Sequence, residues 1–384
     1  MHTVKLIGPS RAFLKSCQDY QIEKLSKSLH YLANEDRIKI SDLSKNTRKL
    51  YEGLIRGDRA CLAKSITLVE STHPGKREDA RKLIGLASNY SKAAGLETKT
   101  FRLGLSGPPG AGKSTFIEAM GMKLTSEGHK VAVLAVDPSS GNQGGSLLGD
   151  KTRMEELTRN PNAYIRPSPN SCHLGGVTRN TNDTILLCEV CGYDMVIVET
   201  VGVGQSEYAV VDMVDAFCLL LPPTAGDELQ GIKRGIVEMS DLILVNKSDG
   251  DLLASARRTA SDYTSALKFL RPRLKIWKPK VCLVSSKLGT GLDEVWKKLN
   301  EFKNVLIEND EFHKRRAYQR KTWMWSYINN RLLDIFNDHY AVKTQRESLE
   351  THVINQTLSP GEASDMLINE FLKNYKKQSS TLHS

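Results

Sequence analysis

Residues 107–114 read Gly-Pro-Pro-Gly-Ala-Gly-Lys-Ser, between an apolar run at 101–106 and a stretch patterned for a helix at 115–126. In that setting the spacing G-x-x-x-x-G-K-[ST] describes a loop whose backbone N–H groups turn inward around phosphate oxygens. Gly107, Gly110 and Gly112 give the backbone its freedom, and Pro108, Pro109, Ala111 and Thr115 complete the loop and its exit. The start of the following helix adds a partial positive charge. Lys113 is placed to reach the β- and γ-phosphates and Ser114 to ligate magnesium. A loop of this kind joins a strand to a helix, so it commits this part of the chain to an α/β fold.

The surrounding sequence extends that pattern. Apolar runs at 131–136, 195–199, 216–221, 242–246 and 281–285 alternate with stretches long enough for crossover helices. Non-alternating apolar strands of this kind predict a mostly parallel sheet covered by helices on both faces. Flanking regions read as helical. Leu25, Leu29 and Leu32 recur at helical spacing, as do Leu62, Ile66 and Val69 behind an N-cap at Asp58. Pro74 and Gly75 punctuate the chain before another helix from about Glu78. Near the C-terminus Trp325, Ile328, Leu332 and Phe336 form one apolar stripe. The organisation expected is a transit segment at 1–20, a helical region at 21–100, a phosphate-loop domain at 101–312 and a helical arm at 313–384.

Composition excludes several classes. With 40% hydrophobic and 26% charged residues, the 384-residue chain is not mainly disordered. No window supplies the ~18 consecutive apolar residues of a membrane span. The net charge of +10 gathers in the flanks, since residues 1–100 hold 19 basic and 11 acidic side chains. A nucleic-acid binder would interleave such charge with aromatics on its folded face, so none is expected as a partner. Seven scattered cysteines indicate a reducing compartment. The first 18 residues are basic, with no acid before Asp19, which fits an organelle transit peptide as well as a short basic tail.

A second motif selects the base. Asn246-Lys247-Ser248-Asp249 ends the run at 242–246. Asp249 is suited to accept from guanine N1–H and N2, a donor pair that adenine lacks. Discrimination built on such hydrogen bonds reaches ~10⁴ or more. Lys247 is expected to lay its stem on the ring and brace the phosphate loop. Ser285, Ser286 and Lys287, at the next strand end, resemble the element that closes over guanine in GTPases.

Magnesium and the hydrolytic centre are less directly marked. Asp137, Asp150 and Glu199 are expected around the ion, mostly through water, together with Ser114. Gly202 can offer its N–H to the γ-phosphate. The acid at 199 is Glu, where Ras-like loops carry Asp, and Val203 stands where they place the water-orienting Gln. Gln205 follows two residues later. Slow intrinsic hydrolysis is expected, with Arg153 and Arg179 as candidates to complete the charge. Cys188 and Cys191 have half-site spacing but no second pair, so they read as structural thiols. Cys172 and His173 read as incidental, and Trp323 with Trp325 as core or dimer face.

Taken together, residues 107–115, 136–140, 144–154, 199–207 and 226–233 resemble the MeaB/ArgK-type GTPases, the family of the methylmalonic aciduria type A protein and of bacterial relatives once described as arginine/ornithine transport kinases. The resemblance covers about residues 50–372. It implies a dimeric P-loop GTPase that uses GTP and Mg²⁺, binds adenosylcobalamin-dependent methylmalonyl-CoA mutase, gates cofactor loading and protects the mutase. It implies that Gly226, Asp227, Glu228, Leu229, Gln230, Gly231, Ile232 and Lys233 form an additional switch towards that partner, and that the C-terminal helices make a homodimer. It also implies a mitochondrial location. A metal-insertion GTPase would require a His-rich tract or complete Cys cluster, and a small-molecule kinase is disfavoured by the guanine reader.

Overall fold

The computed structural model describes residues 38–71, 73–136, 154–166, 174–200, 205–223 and 234–381. The helices are α1 (Lys45–Ile55), α2 (Arg59–Glu70), α3 (Pro74–Ala93), α4 (Leu96–Lys99), α5 (Lys113–Ser126), α6 (Glu155–Arg159), α7 (Leu174–Val190), α8 (Gln205–Val211), α9 (Arg234–Met239), α10 (Leu253–Leu267), α11 (Leu292–Glu308), α12 (Glu311–Asp338), α13 (Tyr340–Ile354) and α14 (Pro360–Thr381). The strands are β1 (Phe101–Ser106), β2 (Val131–Val136), β3 (Ala163–Arg166), β4 (Met195–Thr200), β5 (Ala216–Leu221), β6 (Leu242–Val245) and β7 (Lys280–Leu283). They form one sheet in the order β3-β2-β4-β1-β5-β6-β7, with every pair parallel. The expected α/β architecture is therefore the one observed. Among the described residues no helix is long and apolar enough to cross a membrane.

Each face of the sheet carries its own core. Leu103 and Leu105 of β1 join Phe116, Ile117 and Met120 of α5 and Val295 and Phe302 of α11. Val196, Val198 and Phe217 join Leu54, Leu62, Ile66 and Leu83 of α1–α3. Each of these fully buried aliphatic side chains contributes about 1.5–3 kcal/mol. Local sequence fixes the N-terminal helices. Asp58 Oδ1 accepts from the N–H groups of Ala60 and Cys61 and so caps α2, as expected.

Five details differ from the pattern expected of the sequence. β3 was not anticipated, because its four residues, Ala-Tyr-Ile-Arg, form a short edge strand without a sustained apolar run. β4 continues to Thr200, and β6 stops at Val245 with Asn246 turned out of the strand. β7 ends at Leu283, before the serine pair. Helix α3 begins at Pro74 rather than near Glu78, since proline is favoured in a first turn and His73 Nδ1 accepts from the Gly75 N–H as its cap.

The long helix α12 is rooted on the sheet by charge. Arg316 donates to Asp215 through Nε (2.8 Å) and Nη2 (2.6 Å), and through Nη1 to Thr100 Oγ1 (3.2 Å). Arg102 makes a second fork to Glu189, at 2.7 and 2.8 Å. All four charged side chains are buried. Burial pushes the Glu189 and Asp215 carboxyls up, but Arg102 and Arg316 outweigh it and both end below the ordinary carboxylate value. Burial alone would lower Arg316, yet Asp215 and Glu189 reverse that and raise it. Further along α12, Trp323 Nε1 donates to the Asp212 carbonyl (3.0 Å) while Trp325 is exposed, so the two tryptophans face different ways. Ile328 and Leu332 are exposed as well, so three of the four members of the apolar stripe lie on the surface, and Leu333, Ile354, Ile368 and Leu372 of α12–α14 extend the exposed apolar surface.

Candidate functional site

The site gathers at the carboxyl ends of the central strands, where open parallel sheets place their ligands. Ser106 ends β1 and the loop follows at once. A Cβ on Gly107 would collide with the Leu220 carbonyl of β5. Gly112 takes φ +91°, and a Cβ there would stand 2.6 Å from Asn246 Nδ2. Glycine is thus required at these two positions by close approach, independently of any ligand. Helix α5 starts at Lys113, and the Phe116 N–H donates to the Gly112 carbonyl (2.9 Å). Lys113 Nζ folds back over the loop and donates to the carbonyls of Gly107 (2.7 Å) and Pro108 (3.3 Å).

Asn246 joins three separate segments. Its Nδ2 donates to the Ala111 carbonyl in the loop (2.9 Å). Its Oδ1 accepts from Ser286 N (3.1 Å) and Ser286 Oγ (2.7 Å). The side chain is buried, and both of its polar ends are held by protein. Asn246 thus makes the bond to the phosphate loop, next to Lys247, of which bracing was expected. Lys247 adopts φ 56°, a left-handed conformation costing about 1–2 kcal/mol for a side-chain-bearing residue. Its Cε lies 4.0 Å from where a Gly112 Cβ would stand. Asp249 is half-buried and accepts a hydrogen bond from Ser285 Oγ. Ser285 Oγ also accepts from the Leu288 N–H (3.2 Å), which shapes the turn that carries Lys287. Gly107–Ser114, Asn246–Asp249 and Ser285–Lys287 thus converge from three strand ends.

Glu199, on β4, pairs in register with Leu105 of β1, two residues before the loop, and is buried. Ser114 lies in the first turn of α5. Both offer hard oxygen donors of the kind Mg²⁺ takes. Among the described residues no cluster of three His, Cys, Asp or Glu could hold a metal by itself. Asp137, Asp150, Arg153, Cys172, His173, Gly202, Val203 and residues 226–233 lie outside the described residues, as does the segment 1–20, and only the backbone of Arg179 and Gln205 is described. Cys188 and Cys191 are buried free thiols; burial raises Cys188 well above the usual thiol value and Cys191 to about 11. Both are inert at neutral pH, consistent with a structural role.

Two groups leave little signal in the sequence. One is the hydroxyl line of Ser106 and Thr200, whose only signal was a polar residue closing each of two apolar strands. The other is the Arg102–Glu189–Arg316–Asp215 root of α12, whose members are scattered along the chain. A cavity of about 1380 Å³ lies elsewhere, between α3, α7 and α12, lined by Arg77, Arg81, Arg320, Arg331, Trp323 and Ile328 among others. It includes none of the phosphate-loop residues, and the chemistry of the strand ends, not cavity size, marks the candidate site.

A glycine-rich loop between a central parallel strand and a helix, met by an Asn-Lys-x-Asp tetrad and a serine pair, defines the P-loop nucleoside triphosphatase class. The family described as methylmalonyl-CoA mutase-associated GTPase MeaB matches residues 62–341, and the chain belongs to it. The mouse protein named methylmalonic aciduria type A homolog, mitochondrial, is 55% identical over 327 residues, covering 84% of this chain and 79% of its own. The Escherichia coli protein named GTPase ArgK is 45% identical over 308 residues, covering 80% of this chain and 91% of its own. The crystal structure of LAO/AO transport system kinase superposes with a TM-score of 0.66 at 36% identity, covering 86% of this chain and 99% of that one. The protein is accordingly a GTPase that binds guanine nucleotide, as the sequence reading expected.

Proposed function

We propose that GTP binds with its phosphates in Gly107–Ser114 and its base against Asp249, and that its hydrolysis gates adenosylcobalamin loading into methylmalonyl-CoA mutase and protects that enzyme. The observation that carries the site assignment is Asn246, whose one amide ties the phosphate loop to the Ser285–Lys287 turn. Lys113 would neutralise phosphate charge, and the Asp249 carboxylate would accept from guanine N1–H and N2. The backbone turn Ser285–Lys287 would close over the base. Mg²⁺ would be held by Ser114 and Glu199, with Asp137 and Asp150 as further candidates, and would supply charge neutralisation at the phosphates. Gly202 would contact the γ-phosphate, and residues 226–233 would carry nucleotide state to the mutase. Residues 101–312 would form the GTPase body, with helical flanks at 21–100 and 313–384. The exposed apolar side chains of α12–α14 support a homodimer through the C-terminal helices. Relatives named mitochondrial support a mitochondrial matrix location.

The test is GTP hydrolysis by wild type, Lys113→Ala and Asp249→Ala, with and without methylmalonyl-CoA mutase, and with ATP as control. Slow GTP-specific turnover is expected, accelerated by the mutase and abolished in Lys113→Ala. Asp249→Ala should reduce the preference for GTP over ATP about a hundredfold or more. Turnover indifferent to the mutase would sink the partner assignment, and GTP selectivity surviving in Asp249→Ala would sink the base assignment.

A further inference from the structure

Beneath the phosphate loop runs a short buried line of polar side chains. Thr200 Oγ1 donates to Ser106 Oγ (2.9 Å), and Ser106 Oγ donates to Glu207 Oε1 (3.1 Å). Relative exposures are 0% for Ser106 and Thr200 and 4% for Glu207. The direction follows from chemistry. Ser106 thus gives its hydroxyl proton to Glu207 and its lone pair to Thr200. The three residues close three elements on one another: Ser106 is the last residue of β1 and is bonded to Gly107, Thr200 is the last of β4 and follows Glu199, and Glu207 lies in α8.

Stability does not account for Glu207. Its Oε2 is buried without a hydrogen-bond partner among the described residues. Burying a carboxylate that keeps one hydrogen bond costs free energy that an apolar side chain at the same place would not. Helix α8 is meanwhile held by Val210 and Val211, both in the hydrophobic core. A buried acid that the fold could replace cheaply, placed one hydroxyl away from the root of the phosphate loop, points to a use in the reaction.

We infer that Glu207 and Thr200 are positioning residues for GTP hydrolysis, acting through Ser106 to fix the phosphate loop against the ends of β4 and α8. This rests on the reading of Gly107–Ser114 as the GTP phosphate site. The line meets the root of the phosphate loop and none of the base-side residues Asn246–Asp249 and Ser285–Lys287, so its loss falls far more heavily on the hydrolytic step than on GDP affinity. Misplacement of reacting groups by an ångström costs up to about a hundredfold in rate.

The experiment uses the full chain and measures kcat and KM for GTP, Kd for GDP and the thermal midpoint in Glu207→Leu, Thr200→Val and Thr200→Ser. The expected result is a kcat about ten- to a hundredfold lower in Glu207→Leu and Thr200→Val, with GDP Kd within about twofold of wild type. Thr200→Ser restores kcat, because the hydroxyl returns. Glu207→Leu keeps or raises the thermal midpoint, which a purely structural acid would not do. Rates within twofold of wild type in both Glu207→Leu and Thr200→Val would overturn the inference, as would a rate loss matched by an equal loss of GDP affinity. Wild-type GDP binding that persists in Lys113→Ala would instead show that the phosphate site itself is misassigned, and would overturn both.

Discussion

The two ends of β1 are built from different materials. At its start, Thr100 and Arg102 meet Arg316, Glu189 and Asp215, four full charges sealed from water and joined in forks. At its end, Ser106, Gly107 and Asn246 meet Thr200, Ala111 and Ser286 through hydroxyls, amides and carbonyls. Both ends are knitted by hydrogen bonds, yet they differ in what a broken contact costs. A buried ion left without its partner is penalised by several kcal/mol, whereas a neutral hydrogen bond contributes about 1 kcal/mol net and can be exchanged for another. The first material makes a permanent joint for α12. The second makes a seat whose partners can change with the occupant.

The largest expected effect tests the permanent joint. Arg316→Ala should destabilise the fold by about 3–5 kcal/mol, because Asp215 keeps its charge and loses both side-chain donors from Arg316. Urea unfolding measures it, and GDP affinity of the folded protein should stay within about twofold. A parallel collapse in affinity would show that the two ends of β1 are not independent. Next in size, Asn246→Ala should weaken GDP binding by about thirtyfold, corresponding to about 2 kcal/mol for the groups it leaves unpaired. Titration calorimetry reads that value, and an unchanged Kd would remove Asn246 as the organiser of the seat.

Acid pH sharpens the same contrast. Glu189 and Asp215 have folded pKa values below their ordinary ones. The stability they contribute is complete above the unfolded value of about 4 and is lost as pH falls through the lower folded values. The thermal midpoint should therefore drop below about pH 4 in wild type, with a flatter slope in Arg316→Ala. Smallest of all, Arg346→Ala removes an exposed pair with Glu350 at 2.7 Å, and solvent screening should leave the thermal midpoint indistinguishable from wild type.

These two ends also differ in how much of each was legible in sequence. The phosphate loop, the tetrad and the serine pair are contiguous motifs, because a backbone cradle must be built from neighbouring residues. Six of seven strands could be placed to within a residue or two for a related reason: strands buried on both faces read as unbroken apolar runs. β7 is shifted a little, and β3 escaped because an edge strand of four residues needs no such run. The joint at Arg316 was invisible, since its partners lie 101 and 216 residues away and nothing local distinguishes this arginine from its neighbours on α12. Glu207 had a weaker disguise: it sits in a stretch already singled out, but its partner hydroxyls belong to strands whose polar last residues looked incidental.

That long reach has a consequence for synthesis. Every strand of the sheet is synthesised before residue 316 is added, so the nascent body holds Asp215 with one of its two cations still unmade. Its final stability arrives only with the first turns of α12. A message cut short after β7 would thus yield a chain with all the strands and both halves of the nucleotide seat, but with an uncompensated acid at its centre, a ready client for chaperones and proteases.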